Sequence, residues 1–202
     1  MSLPRLPSVV LTLAPSGADR ATDREALLAA VASATGVGTP AVRAGRVCPH
    51  CGATDHGRPW AEADGSAVGV SLSRTTDLVA LAVGPGNLGV DVERVSRVSA
   101  APLDAFTAGE RARAAGDARA LTACWAVKEA VLKRDGRGLR VDPLSVDVDL
   151  DRGVAVFEGD EQPVTVLFPA ADLVVAVAAG GVPVDVGPCP SGRARAEPQT
   201  SG

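Results

Sequence analysis

The chain has 202 residues, 46% of them hydrophobic, enough to bury one good core or two small ones. Its formal net charge of −4 offers no basic footprint for nucleic acid, and no apolar run approaches the roughly 18 to 20 residues that span a bilayer. Its four cysteines make no disulfide framework for a domain of this size, so a soluble protein of the reducing cytoplasm is expected.

The apolar run before Pro15 is about six residues, shorter than the ~7–15 of a secretory signal, and Ser8 to Leu13 reads as a strand. Thr22, followed three positions later by Glu25, has the pattern of a capping box ahead of a helix over Ala26 to Ala34. Residues 36–64 are rich in Gly, Pro and Arg without periodicity, and read as a long irregular segment that carries function or is disordered. Within it, Cys48, His50, Cys51, Asp55 and His56 crowd into C-P-H-C-G-A-T-D-H-G-R-P. A structural zinc site normally draws four N or S ligands from two separated pairs, and no second pair follows. The segment therefore reads as a tight turn at Cys51-Gly52, with His56-Gly57-Arg58-Pro59 carrying a cation to an anion. On that reading Cys48→Ser/Cys51→Ser keeps most activity.

Two strands, V-G-V-S-L and D-L-V-A-L-A-V, fall within Ala67 to Val83, joined by Ser73 to Thr76, and a third runs from Leu88 to Glu93. Alternate side chains of a strand share a face, so Val90 and Val92 point one way and Asp91 and Glu93 the other. Two carboxylates thus project from one rigid element, a pattern that a solvated strand face shares.

Helical patterns follow over Pro102 to Ala108, Glu110 to Arg119 and Leu121 to Arg134. Both lysines of the chain, Lys128 and Lys133, lie in the stretch Trp125 to Leu139; the other cationic side chains are all arginine. Leu121, Cys124, Val127 or Lys128, and Val131 share one side of the third helix, and Trp125, Glu129 and Lys133, at i, i+4 and i+8, run along another. Glu129 and Lys133 also suit an ordinary helix pair worth only ~0.2–0.5 kcal/mol. Gly136 and Gly138 end the helix. Strands are expected at Leu144 to Leu150, Val154 to Glu158, Val164 to Phe168 and Asp172 to Ala179, and residues 187–202 read as a disordered tail. D-L-V-A-L-A-V-G at 77–84 is echoed by D-L-V-V-A-V-A-A-G at 172–180, which suggests two similar α+β halves, 1–99 and 100–186, about a pseudo-twofold axis with a ligand cleft between them.

G-V-D-V-E at 89–93, followed by W-A-V-K-E-A-V-L-K at 125–133 and G-R-G-L, resembles the two signatures of the 4′-phosphopantetheinyl transferases of the Sfp type. H-G-R-P at 56–59, V-S-L-S-R at 70–74, F-T-A-G-E at 106–110 and L-R-V-D-P-L at 139–144 resemble further segments of that family, so the likeness covers roughly residues 20 to 180.

The resemblance implies that fold and Mg²⁺-dependent transfer of the phosphopantetheine arm of coenzyme A to a serine of an apo acyl or peptidyl carrier protein, releasing adenosine 3′,5′-bisphosphate. It implies a magnesium site of Asp91, Glu93 and Glu129, with Glu129 also the base for the serine proton and Glu110 the second choice. Lys133 would face the phosphates, and Arg58, Ser73, Arg74, Asp91 and Lys128 would join it in holding coenzyme A. Arg74 and Arg58 depart from the His and Lys usual at their positions, and both keep a cation for phosphate. A monomer, a pseudo-dimer within one chain, is expected. The carboxylates alone would also permit a metal-dependent phosphodiesterase or pyrophosphatase, and the signatures a carrier-binding module without catalysis.

Overall fold

The computed structural model describes residues 6–17, 19–100 and 104–187. Strand β1 (Val9–Pro15), helix α1 (Arg20–Thr35) and strands β2 (Val42–Val47), β3 (Arg58–Ala63), β4 (Ser66–Thr75) and β5 (Leu78–Gly84) come first. They are followed by β6 (Gly89–Arg94), the short helices α2 (Val95–Ala100) and α3 (Ala108–Ala114), and the long helix α4 (Ala118–Asp135). Strands β7 (Val146–Asp149), β8 (Val154–Phe157), β9 (Asp160–Ala170), β10 (Leu173–Ala178) and β11 (Val184–Val186) complete the described elements.

One sheet has the order β11-β1-β5-β4-β3-β2 and the other β6-β10-β9-β8-β7. Leaving β11 aside, the two sheets have the same topology: a first strand, a helical connection, then four strands whose last lies beside the first, with every neighbouring pair antiparallel. The mixed α+β class expected from the sequence is what the structure has. The echoed segments form β5 and β10, which occupy the same station in their sheets. A division after residue 99 does not follow the sheets, however. β6 pairs with β10 rather than with any strand before it, so the second unit begins at Gly89, and β11 crosses back to lie parallel to β1.

The layers run α1, sheet, sheet, α4. Leu27 and Val31 of α1 pack on Val79, Leu81 and Val83 of β5. Val9, Leu11, Ala80 and Ala82 meet Val90, Val92, Val175 and Val177 between the sheets. Ala123, Val127, Ala130 and Val131 of α4 cover Val174, Ala176 and Ala178. Strands β5 and β10 are thus buried on both faces, which is why they read as continuous small apolar runs rather than alternating ones.

Several local expectations are corrected. Helix α1 begins at Arg20, capped by Asp19, whose Oδ1 accepts hydrogen bonds from Thr22 N at 2.9 Å and Thr22 Oγ1 at 3.0 Å. Thr22 lies inside the first turn and is not the cap. The segment 36–64 contains the antiparallel pair β2 and β3, hidden in the sequence because Val47 and Trp60 are exposed while three of the four buried positions are alanines, Ala44, Ala61 and Ala63 beside Val42. Asp64 and Gly65, with φ of 47° and 75°, form the two-residue turn into β4, the conformation an Asp-Gly hairpin favours. Strand β4 continues through Ser73 and Arg74, which the sequence placed in a connection. Residues 104–107 are not helical, and α3 stops at Ala114, where Ala115 and Gly116 turn left-handed before α4. Pro102 and the tail 188–202 lie outside the described residues. Among the described residues, no helix is long and apolar enough to cross a membrane.

Strand β6 is an edge strand, and α4 lies directly on its backbone. A Cβ at Gly89 would overlap the carbonyl oxygen of Ala130, so only glycine allows this approach. The free edge of β6 is met by β4 of the other sheet, where the Ser71 hydroxyl accepts a hydrogen bond from Val90 N at 3.0 Å.

Candidate active site between β6 and α4

With Val90 and Val92 buried between the sheets, Asp91 and Glu93 face α4. The stripe of Trp125, Glu129 and Lys133 on α4 lies against them, because i, i+4 and i+8 share one face of a helix. Trp125 Nε1 donates to Glu93 Oε1 at 3.3 Å. Lys133 Nζ donates to Asp91 Oδ1 at 2.5 Å and to Ser73 Oγ at 3.1 Å, and sits 3.8 Å from Glu129 Oε2. Ser73, from β4, donates to Asp91 Oδ1 at 2.7 Å. The Asp91 and Glu129 carboxylates share one ammonium, so these two oxygens lie no farther apart than the sum of their distances to it.

Three carboxylates here face one ammonium. Burial, and then the charge of Asp91, pushes Glu93 up to about 7. Glu129 is also raised, by burial first and then by Asp91, against the pull of Lys133. Asp91 Oδ2 is buried and has no hydrogen-bond partner. An excess of negative charge and an unpartnered carboxylate oxygen fit a hard divalent cation, for which carboxylate oxygens are the ordinary ligands. The three carboxylates are not drawn onto one point, since Lys133 lies among them. Among the described residues, the group of three metal-ligating side chains whose ligand atoms all lie within 4.8 Å of one another is Cys48, Cys51 and His56.

Lys133 also lines a cavity of about 450 Å³ at the junction of the two units. Arg46, Arg58, Arg137 and Arg140 are among its lining residues, as are the apolar Val70, Leu72 and Leu88. Arg58 reaches the carbonyl of Arg134 at 3.4 Å, and Arg137 is held by Asp135 at 2.7 Å and Glu158 at 2.8 Å. Sequence reading found Arg58 and missed the other three: Arg46 fell in the segment taken as irregular, and Arg137 and Arg140 in G-R-G-L and L-R-V-D-P-L, stretches that resemble the family without giving their arginines a role.

The remaining expected site residues lie elsewhere. Lys128, one residue before Glu129, is turned about 100° away from it and is fully buried. Its ammonium is 3.0 Å from Glu110 Oε1 and donates to the carbonyls of Pro143, at 2.9 Å, and Val146. Glu110 is fully buried too, accepting from Thr107 N at 2.8 Å in a capping box and from Val148 N, on edge strand β7, at 2.9 Å. Arg74 points to the opposite face of β4 from Ser73, where it pairs with Asp23 of α1 at 3.1 Å and donates to the carbonyl of Gly17 at 2.7 Å.

The two sheets of like topology thus carry an acid and lysine cluster beside a cavity lined by arginines. Residues 87–178 match the family model described as the 4′-phosphopantetheinyl transferase superfamily. The match runs from just before β6 to the end of β10 and so takes in the second sheet, α4, and Asp91, Glu93, Glu129 and Lys133. No curated protein matches the chain.

Proposed function

We propose that this protein transfers the 4′-phosphopantetheine arm of coenzyme A to a serine hydroxyl of an apo acyl or peptidyl carrier protein, releasing adenosine 3′,5′-bisphosphate. The observation that carries this reading is the position of Lys133, which joins the carboxylate cluster to the cation-lined cavity inside the segment matching the superfamily. The presence of two units of like topology in one chain supports the Sfp type, a pseudo-dimer within one monomer.

The reaction breaks a diphosphate bond while a neutral hydroxyl attacks, so phosphate charge must be offset and one proton removed. Glu129, its proton affinity raised by burial, takes the proton from the serine oxygen. Lys133, oriented by Asp91 and Ser73, sets its ammonium against a diphosphate oxygen. Arg58 binds the 3′-phosphate side of the cofactor together with Arg46, Arg137 and Arg140, whose planar forks suit phosphate oxygens. Asp91, Glu93 and Glu129 would hold Mg²⁺, whose charge weakens the bond to the leaving group. Glu110 and Lys128 tie α3, α4 and β7 together and take no part in proton transfer or cofactor binding; Arg74 ties β4 to α1.

Intact mass spectrometry of apo carrier domains incubated with coenzyme A and Mg²⁺ tests the proposal. A mass gain of one phosphopantetheinyl group on the carrier is expected. Mg²⁺-dependent loss of coenzyme A with every carrier unmodified would point instead to a phosphodiesterase or pyrophosphatase.

A further inference from the structure

The loop between β2 and β3 forms part of the cavity wall, and the chemistry above makes no use of its cysteines. Cys48 and Cys51 sulfurs and a His56 ring nitrogen all lie within 4.8 Å of one another. The loop is built to hold them there. Gly52 N donates to the Cys48 carbonyl at 2.9 Å and Cys48 N to that of Ala53 at 2.8 Å. Gly57, at φ 93°, lets the chain return against Cys48, since a Cβ there would overlap the Val47 carbonyl and the Cys48 backbone. That return carries His56 to the sulfurs.

The distances suit a tetrahedral ion. Bonds of about 2.3 Å to sulfur and about 2.0 Å to nitrogen place the two ligand atoms roughly 3.5 Å apart, and Cys51 Sγ is 3.5 Å from His56 Nε2. His56 Nδ1 is held by Asp55 Oδ1 at 2.7 Å, which leaves Nε2 to present its lone pair. A carboxylate on the outer nitrogen is the arrangement that orients metal-binding imidazoles. Two sulfurs and an imidazole select zinc over the hard ion that suits the Asp91 cluster.

We propose that Cys48, Cys51 and His56 bind a Zn²⁺ ion that clamps the β2–β3 loop and thereby shapes the cavity wall. All three residues line the cavity, so the ion would stand at its wall. The sequence argument against zinc rested on the missing second ligand pair; the turn at Gly57 supplies the third ligand from within the same loop. The inference is independent of the transferase reading.

The test uses the full-length protein, purified under reducing conditions without chelator, with metal measured by elemental mass spectrometry. About one Zn²⁺ per chain is expected, and the Co²⁺-substituted protein should show thiolate charge-transfer absorption with the strong visible bands of tetrahedral cobalt. Cys48→Ser, Cys51→Ser and His56→Ala should each abolish these signals, Asp55→Asn should weaken zinc binding ~10–100-fold, and Cys124→Ser, buried in α4, should change nothing. Should the cysteine variants fail to fold, chelator titration of the wild type serves: zinc removal should lower the melting temperature, and Zn²⁺ but not Mg²⁺ should restore it. The proposal is overturned by metal far below one equivalent, by zinc retained in Cys48→Ser/Cys51→Ser, by octahedral cobalt spectra, or by a melting temperature indifferent to the chelator.

Discussion

Replacing Lys128 with methionine keeps the length of the side chain and removes the ammonium that faces Glu110 at 3.0 Å with both side chains fully buried. Glu110 would keep its hydrogen bonds from Thr107 N and Val148 N, yet its charge would be unpaired in the core. The carbonyls of Pro143 and Val146 would also lose their donor. Breaking a buried pair from one side costs ~3–5 kcal/mol, against a total stability of about 5–15 kcal/mol for a native domain. At roughly 2–4 °C per kcal/mol for a chain of this size, the melting temperature should fall by ~6–20 °C. Removing both charges in Lys128→Met/Glu110→Gln should recover a large part of the loss, because no unpaired ion is then left behind. Denaturant titration and thermal melts measure the loss, and carrier modification is assayed well below the transition. Turnover there should stay near wild type, since neither side chain lines the cavity. An unchanged melting temperature with turnover lost would refute this reasoning and return Lys128 to cofactor binding.

Three further outcomes are expected. Glu129→Gln keeps size and removes charge and basicity, so carrier modification should drop by orders of magnitude with the fold intact, while Lys133→Arg, a wide fork in place of a compact ammonium, should lose less turnover and less still of coenzyme A binding; near wild-type turnover in Glu129→Gln would rule the mechanism out. Glu93, raised from 4.5 to about 7, holds a proton in the folded state that the unfolded chain has already released. Its stabilising contribution is therefore complete below about pH 4.5 and lost as pH rises through about 7. The metal-free melting temperature should fall across that window, less steeply in Glu93→Gln, and Mg²⁺ should restore it at the upper end; identical profiles for the two proteins would contradict this. Gly89→Ala pushes a methyl into the backbone of Ala130, so it should cost ~1–3 kcal/mol in denaturant titrations and lower turnover by shifting α4 from Asp91; full activity and stability would show that the helix does not need this approach.

The carboxylate pair on β6 and the stripe on α4 were legible in the chain because each depends on the period of its own element: alternation sets Asp91 and Glu93 together, and a step of four sets Trp125, Glu129 and Lys133 together. The doubling was legible as well, since β5 and β10 are buried on both faces and that burial leaves the same uninterrupted apolar run in each. Residues far apart in sequence were another matter. The helical period separates Lys128, on the side of Leu121, Cys124 and Val131, from Lys133, on the stripe with Glu129, but not what each side meets; packing of α4 on β6 and β7 sets Lys128 against Glu110 and Lys133 against Asp91 and the cavity. The turns at Asp64-Gly65 and Gly57, which pair β3 with its neighbours and bring His56 to the cysteines, act through backbone conformation and a register set by another strand. Composition named the groups able to do chemistry; long-range packing chose which of them meet.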